Sequence, residues 1–393
     1  MMKFASIRPE LFISLSMLFL VAGLATIFNP YFSAVNPNLS FSPLSLFVWL
    51  FAACSFMLGL RYGGGIFRLR QLPALVIFIA GVAHFSSYYS MPLYASLAFS
   101  LAGAAIAYFV VNFNGDFLKL FLAGVALLIL NMAAFGVPLL NVQLHVASSR
   151  GFLGFADFTN PVFIAGFYLA LYSLVRLHAR ADRRMFWLLA AALLALAALS
   201  SFRLYPTLVL ITAVLLEMKS SAPKPRQMLL LSLIAVAFVG FFLLVGSSLE
   251  TAKGNEIGGP LEVAEYRAGF TLHVFDDIVK KSFPLGYAFG STYFTAGGGD
   301  MAICGLLYGC TSRITSTAFG EIMLNFGLPG VFLLAFFMAA VLGKLYEKDY
   351  PLYALGMANA IAAIEIGMNV PFMLLFAILY LRLIGWIPSR RPD

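Results

Sequence analysis

Residues 11–28 have the sequence LFISLSMLFLVAGLATIF, a run of eighteen residues without a charged side chain. A helix of that length crosses a hydrocarbon layer of about 30 Å, because each residue adds about 1.5 Å. The chain as a whole is 62% hydrophobic and only 11% charged, too little polar surface for a soluble fold. The sequence therefore predicts an all-α polytopic membrane protein with about twelve transmembrane helices. These lie at 11–28, 43–60, 72–89, 92–111, 117–140, 158–177, 185–201, 204–218, 228–247, 317–345, 351–369 and 371–387.

The basic residues predict how these helices are oriented. Short loops rich in Lys and Arg stay in the cytoplasm. Such loops occur at 61–70, 176–184 and 219–226, whereas the loop at 29–42, on the other side of the predicted membrane, carries no charge. With an even number of helices, both termini are expected to be cytoplasmic. The net charge of +8 is then explained by topology and anionic lipid headgroups, so we expect no nucleic-acid partner.

One segment, 247–314, is much longer than the other loops and is predicted to be external, between the ninth and tenth transmembrane helices. Long loops in compact proteins are usually functional. Apolar residues recur within it at helical spacing, so we expect an amphipathic helix at 261–281 on the membrane face. We treat 1–393 as a single integral membrane domain that contains this external loop.

The three cysteines show no metal-ligand spacing, and we expect neither a metal nor a cofactor. Cys54 lies inside an apolar run and is expected to pack in the protein interior. Cys304 and Cys310 both lie in the external segment. In an oxidising compartment they could form a disulfide, and two free thiols are the alternative.

Four arginines depart from the cytoplasmic bias and fall on the predicted external side: Arg150, Arg203, Arg267 and Arg313. Arg203 stands between two apolar runs with almost no loop, at a depth where a charge usually faces a polar cavity or a partner. Guanidinium groups bind phosphate oxygens in forked pairs, so these arginines could bind a phosphate or pyrophosphate headgroup. The alternatives are extension to lipid headgroups and pairing with a carboxylate.

Few residues near these arginines could accept a proton. Glu265 lies two positions before Arg267, and we favour it over Asp276 and Asp277, which can pair with Lys280 and Lys281 at i,i+4. His273 and Tyr266, on the same helix, are candidate substrate contacts. Two carboxylates in predicted transmembrane helices, Glu321 and Glu365, could mark a substrate site or serve as counter-ions for an arginine.

These features together resemble the O-antigen polymerase and ligase superfamily, membrane glycosyltransferases that use lipid-linked sugar donors. The turn at 200–203 (SSFR) resembles the family's Ser/Gly-rich turn with an arginine, and 284–290 (PLGYAFG) its Pro-x-Gly-x-Gly run. The segment 317–330 (TAFGEIMLNFGLPG) resembles the family's entry into the following helix. Family ligases carry a His-Asn pair where this chain has Ser316 and Thr317, which favours the polymerase branch.

The resemblance implies a polymerase of polyprenyl-pyrophosphate-linked oligosaccharide repeat units in the cytoplasmic (inner) membrane, with its active site facing the periplasm or exterior. It implies an inverting, metal-independent transfer in which Arg203 and Arg267 stabilise the pyrophosphate and Glu265 acts on the acceptor hydroxyl. Arg150, Tyr266, His273, Arg313 and Glu321 would bind substrate. Donor, acceptor and membrane lipids would be its partners, with a chain-length regulator or a flippase as further candidates.

Two other classes remain open at this point. A transporter or flippase for an anionic lipid-linked or small solute would show paired half-repeats and broken helices near the bilayer midplane. Another kind of lipid-modifying membrane enzyme would need a reactive cysteine or histidine at the external face.

Overall fold

The structure, a computed structural model, describes residues 8–88, 91–111, 113, 115–141, 160–178, 182–200, 202–220, 259–294, 299–310, 314–367 and 370–385. Within these residues it is helical and contains no strand. The helices are α1 Leu11–Ile27, α2 Pro30–Val35, α3 Pro43–Tyr62, α4 Leu72–Tyr88, α5 Leu93–Val111, α6 Phe117–Phe135, α7 Pro161–Leu177, α8 Arg183–Leu199, α9 Leu204–Ser220, α10 Pro260–Ser282, α11 Gly299–Tyr308, α12 Gly320–Lys348, α13 Tyr350–Ile366 and α14 Val370–Leu383. Short 3₁₀ helices follow α3 at Gly63–Leu69 and precede α11 at Ser291–Phe294.

Each predicted transmembrane segment except 228–247 coincides with one of these helices, and 228–247 lies outside the described residues. Three helical stretches are long and apolar enough to cross a membrane: Pro43–Leu69, Phe117–Phe135 and Gly320–Lys348. The other apolar helices are shorter. The chain is therefore an integral membrane protein built from apolar helices.

Small residues allow the helices to approach closely. A Cβ added at Gly59 or Gly63 of the α3 region would collide with Phe336, Ala339 or Ala340 of α12. Helices α6 and α7 meet in the same way, at Gly124 and Gly166. Membrane helices gain little from burying apolar surface against one another, so close backbone packing supplies much of their association energy.

Helix α10 confirms the predicted helix but lies deeper than its amphipathic pattern indicates. Every residue from Thr271 to Val279 is buried except Asp277, which is partly exposed. The helix packs on α1, where Gly269 contacts Thr26, and on α3, where the ring of Trp49 meets Phe275 edge to face. Other helices of the protein therefore cover this half of α10, and its position at the membrane face stays a prediction.

The end of the bundle that carries residues 28–42, helix α10 and residues 283–294, 299–310 and 314–319 is called the loop face below. A break in α12 shapes it: Gly327 has φ 60° and ψ −152°, which interrupts the helix between two straight parts. Pro284 to Gly290 fill the break, with the amides of Tyr287 and Ala288 donating to the Leu324 carbonyl (2.7 and 2.9 Å). The Leu328 amide in turn donates to the Pro284 carbonyl (2.8 Å). The loop thus takes the hydrogen bonds that the broken helix has lost.

The cysteines divide as follows. Cys304 and Cys310 form a disulfide that closes the end of α11. Cys54 is exposed on the surface of α3, so the expectation that it packs in the interior is wrong. An apolar sequence context does not distinguish an interior helix face from one that contacts lipid.

Candidate functional site

The structure places the predicted site residues on three separate helices. Arg203 lies at the start of α9, Glu265, Tyr266, Arg267 and His273 lie on α10, and Glu321 lies at the start of α12. Arg150 and Arg313 fall outside the described residues.

Arg203 forms an ion pair with Glu365, one of the two carboxylates in the predicted transmembrane helices. Its guanidinium Nη1 lies 3.6 Å from Oε1 of Glu365, near the end of α13, and the two side chains are 31% and 40% exposed. The prediction that Glu365 could serve as an arginine counter-ion is confirmed geometrically. An ion pair this long and this exposed is weak, so Arg203 can also interact with an anionic group that reaches it.

Residues 265–267 begin the described site on α10. The Glu265 side chain is exposed, and its backbone carbonyl accepts a hydrogen bond from Thr26 Oγ1 (3.0 Å). The Tyr266 hydroxyl accepts from Asn36 Nδ2 (3.3 Å), and the Tyr266 ring stacks on Phe270. Arg267 is partly buried and makes contacts of its own. These contacts connect the start of α10 to the 29–42 loop and the end of α1.

Asp276 holds α10 to the start of α3. Its carboxylate, fully buried, accepts hydrogen bonds from the Ser42 amide (2.7 Å), Ser45 Oγ (2.7 Å) and Ser40 Oγ (3.1 Å), and Lys280 Nζ lies 2.5 Å away. Burial alone would raise the pKa of Asp276, but the hydrogen bonds from Lys280, Ser42 and Ser45 outweigh it and lower this pKa from 3.8 to about 2. The predicted Asp276–Lys280 pair is therefore confirmed, and its role is structural.

Next to this anchor lies an open cleft of about 530 Å³. It is lined by Asn36, Asn38, Ser40, Phe270, His273, Asp277, Tyr308 and Ile314. Three separate parts of the chain therefore form it: the 29–42 loop, α10, and the end of α11 together with Ile314. This volume is within the usual range for a small-molecule site, about 300–1,000 Å³.

Two lining residues orient one another within the cleft. His273 Nδ1 accepts from the Ser40 amide (3.4 Å), so Nε2 is the nitrogen that faces Oδ2 of Asp277 at 3.5 Å. The Tyr308 hydroxyl donates to the same oxygen of Asp277 (2.9 Å). Burial raises the pKa of Tyr308, and the hydrogen bond to Asp277 raises this pKa further.

Lys281 does not pair with Asp277 as predicted, because its Nζ donates to the Leu306 carbonyl (2.6 Å).

His273, Asp276 and Asp277 bring ligand atoms within 4.8 Å of one another, a spacing that a metal ion could use. Lys280 Nζ already lies 2.5 Å from Asp276 and 4.0 Å from Asp277. The serine donors occupy the remaining lone pairs of Asp276. The ammonium group thus supplies the positive charge that a metal would bring, and we assign no metal role to this cluster.

Glu321 belongs to a buried network behind the 284–290 loop. Thr292 Oγ1 donates to Glu321 Oε1 (3.1 Å), and Asn325 Nδ2 donates to Thr292 Oγ1 (2.6 Å). Asn325 Oδ1 accepts from the Gly290 amide (2.9 Å). The network ties the first turn of α12 to the loop.

Sequence reasoning missed most of the cleft. It singled out mainly charged residues, whereas Asn36, Asn38 and Ser40 are neutral and Tyr308 lies in a short apolar helix. The concentration of Asn and Ser in an uncharged loop was the available signal.

A bundle of apolar helices with a polar cleft among its described residues defines the class of integral membrane protein. Residues 7–377 match the model of the family described as "Putative O-antigen polymerase". The chain belongs to this O-antigen polymerase family, as the resemblance implied.

Comparisons with individual proteins cover less of the chain than the family model does. The uncharacterised protein MJ0420 of Methanocaldococcus jannaschii is 32% identical over 148 residues, which are 37% of this chain. The chain spans 38% of the length of that relative. No solved structure matches the chain.

Proposed function

We propose that this protein is a membrane glycosyltransferase that polymerises oligosaccharide repeat units carried on polyprenyl pyrophosphate. The family match over residues 7–377 is the observation that carries the proposal. The transporter alternative has no comparable support. Substrate donor and acceptor would both be lipid-linked, with a chain-length regulator or a flippase as further candidate partners.

The proposal places the loop face on the external side of the cytoplasmic membrane, within a topology of about twelve transmembrane helices and two cytoplasmic termini. The Cys304–Cys310 disulfide supports this orientation, because disulfides persist in oxidising compartments. The distribution of Lys and Arg supports it independently. The chain 1–393 would form one membrane domain, with 247–314 as its external loop.

The chemistry asked of the protein is limited because pyrophosphate is a good leaving group. The oxygen of an acceptor hydroxyl would attack the anomeric carbon of the donor sugar, with inversion and without a metal. The bond from that carbon to the pyrophosphate oxygen would break, and the electron pair would leave with the pyrophosphate. Arg203 and Arg267 would stabilise the charge that develops there. Glu265, whose side chain is exposed, would take the hydroxyl proton.

Substitution of the two arginines tests the proposal. Arg203→Ala and Arg267→Ala should each abolish long-chain glycan in cells while the membrane level of the protein stays normal. Arg184→Ala is the matched control, since Arg184 is exposed at the opposite end of α8 from the turn before Arg203. Full chain length in both test variants would remove the arginines from the mechanism.

A double variant separates substrate binding from pairing with Glu365. If Arg203 acted only as the counter-ion of Glu365, then Glu365→Gln would restore chain length in the Arg203→Ala background. The proposal expects no restoration, because the pyrophosphate would still lack its guanidinium. Chain length measured on glycan gels distinguishes the two results.

Labelling of single cysteines tests the orientation. In a Cys54→Ala background, Ser33→Cys on the loop face should react with an impermeant thiol reagent on intact cells, and Arg184→Cys should not. The reverse pattern would invert the topology.

A further inference from the structure

We propose that the cleft beside α10 binds the sugar portion of the lipid-linked substrate and excludes its pyrophosphate. This inference rests on the proposed function and deepens it. It assigns a neutral, hydroxyl-rich ligand to a cleft formed by the 29–42 loop, α10 and the end of α11.

The charges of the described lining residues disfavour a pyrophosphate in the cleft. No Lys or Arg is among the described residues that line the cleft, and the carboxylate of Asp277 is there. The nearby ammonium of Lys280 is committed to Asp276 at 2.5 Å and to Ser40 Oγ at 3.1 Å. Among the described residues that line the cleft, a pyrophosphate would meet the carboxylate of Asp277 and no guanidinium or ammonium group, which is unfavourable in a partly enclosed site.

The hydrogen-bond donors and acceptors of the lining residues match the hydroxyl groups of a sugar. Asn38 lines the cleft and is exposed, and its side-chain amide offers two donors and an acceptor. Asp277 Oδ1 lies 4.0 Å from Lys280, beyond hydrogen-bonding distance, and remains an acceptor. The Tyr308 oxygen keeps a free acceptor lone pair after it donates to Asp277. Sugar hydroxyls both donate and accept, so they match this mixture of groups.

The cleft also has an apolar wall and a fixed shape. Phe270 and Ile314 present apolar surface on which the carbon–hydrogen face of a sugar ring can pack. Asp276 fixes Ser40 to α10, and the Cys304–Cys310 disulfide closes the chain around Tyr308. Polar groups that are held in place discriminate strongly between a ligand that satisfies them and one that does not.

Binding of two lipids to the full-length protein in nanodiscs tests the inference. One lipid is sugar-free polyprenyl pyrophosphate. The other is the oligosaccharide-bearing lipid, extracted from source cells in which the gene that encodes this protein has been deleted. Three variants alter the cleft: Asn38→Ala, Asp277→Asn and Tyr308→Phe. Asp182→Asn is the matched acidic control, because Asp182 is exposed and makes no capping hydrogen bond on α8.

Each cleft variant should weaken binding of the oligosaccharide-bearing lipid about tenfold, the effect of one lost hydrogen bond to a charged or well-placed group. Binding of the sugar-free lipid should stay within about twofold of the unaltered protein. Arg203→Ala should weaken both lipids. Tyr308→Phe removes one oxygen atom only, so it keeps the test valid if a larger change prevents folding.

Two results would overturn the assignment while leaving the proposed function intact: equal weakening of both lipids, or unchanged binding of both by all three cleft variants. If the unaltered protein binds neither lipid, the proposed function fails and this inference fails with it.

Discussion

Replacing Asp276 with Asn should destabilise the protein by about 2.5 kcal/mol. The pKa of Asp276 falls from 3.8 to about 2 in the folded state. At about 1.4 kcal/mol per pKa unit, the fold therefore favours the ionised carboxyl over the neutral one by about 2.5 kcal/mol. Asn resembles the neutral acid in shape, so it should lose about this much. Asp276→Ala should cost more, because it also leaves the serine donors and Lys280 without an acceptor.

The pH dependence of this contribution follows from the direction of the pKa change. Because the folded-state pKa is lowered, the stabilisation is fully present above about pH 4 and is lost as the pH falls toward about 2. The purified protein should lose part of its thermal stability over that interval, and Asp276→Asn should lose less over the same interval.

Thermal unfolding of purified protein, followed by loss of the folded peak on size exclusion, measures both effects. Asp277→Asn is the control: its carboxylate is partly exposed and lacks the serine donors, so its stability cost should stay under about 1 kcal/mol. If Asp276→Asn has the same melting temperature as the unaltered protein, Asp276 does not anchor α10. The same conclusion follows if Asp277→Asn loses as much stability as Asp276→Asn.

Three further predictions concern the scaffold. Gly327→Ala should reduce the amount of folded protein in membranes, because Gly327 has φ 60° and a Cβ there would collide with the Pro284 carbonyl. Gly65→Ala is the control and should leave that amount unchanged, because the space around Gly65 is open. Replacing Cys304 and Cys310 together by Ser should lower stability by about 2 kcal/mol in the same melting assay, and an unchanged melting profile would show that the disulfide is dispensable. Gly124→Val should disrupt the contact of α6 with α7, since a Cβ would lie 2.6 Å from the Ala170 amide; normal membrane levels would contradict this.

The sequence by itself determined the helical membrane class and most helix positions. Apolar run length and loop charge depend on local composition, which is why the runs at 43–60 and 117–140 coincide with helices. It also identified the helix at 261–281, the Asp276–Lys280 pair at i,i+4 and the family. These features depend on residues that are close in the chain or on motif order, and both are visible without a fold.

Only the tertiary structure decided which polar groups meet. Glu365 reaches Arg203, Tyr308 reaches Asp277, and Ser42 reaches Asp276 through contacts between segments that are distant in sequence. It also decided that the second half of α10 is enclosed and that Cys54 is not. The physical reason is that apolarity predicts removal from water, whereas packing alone decides whether lipid or protein replaces that water.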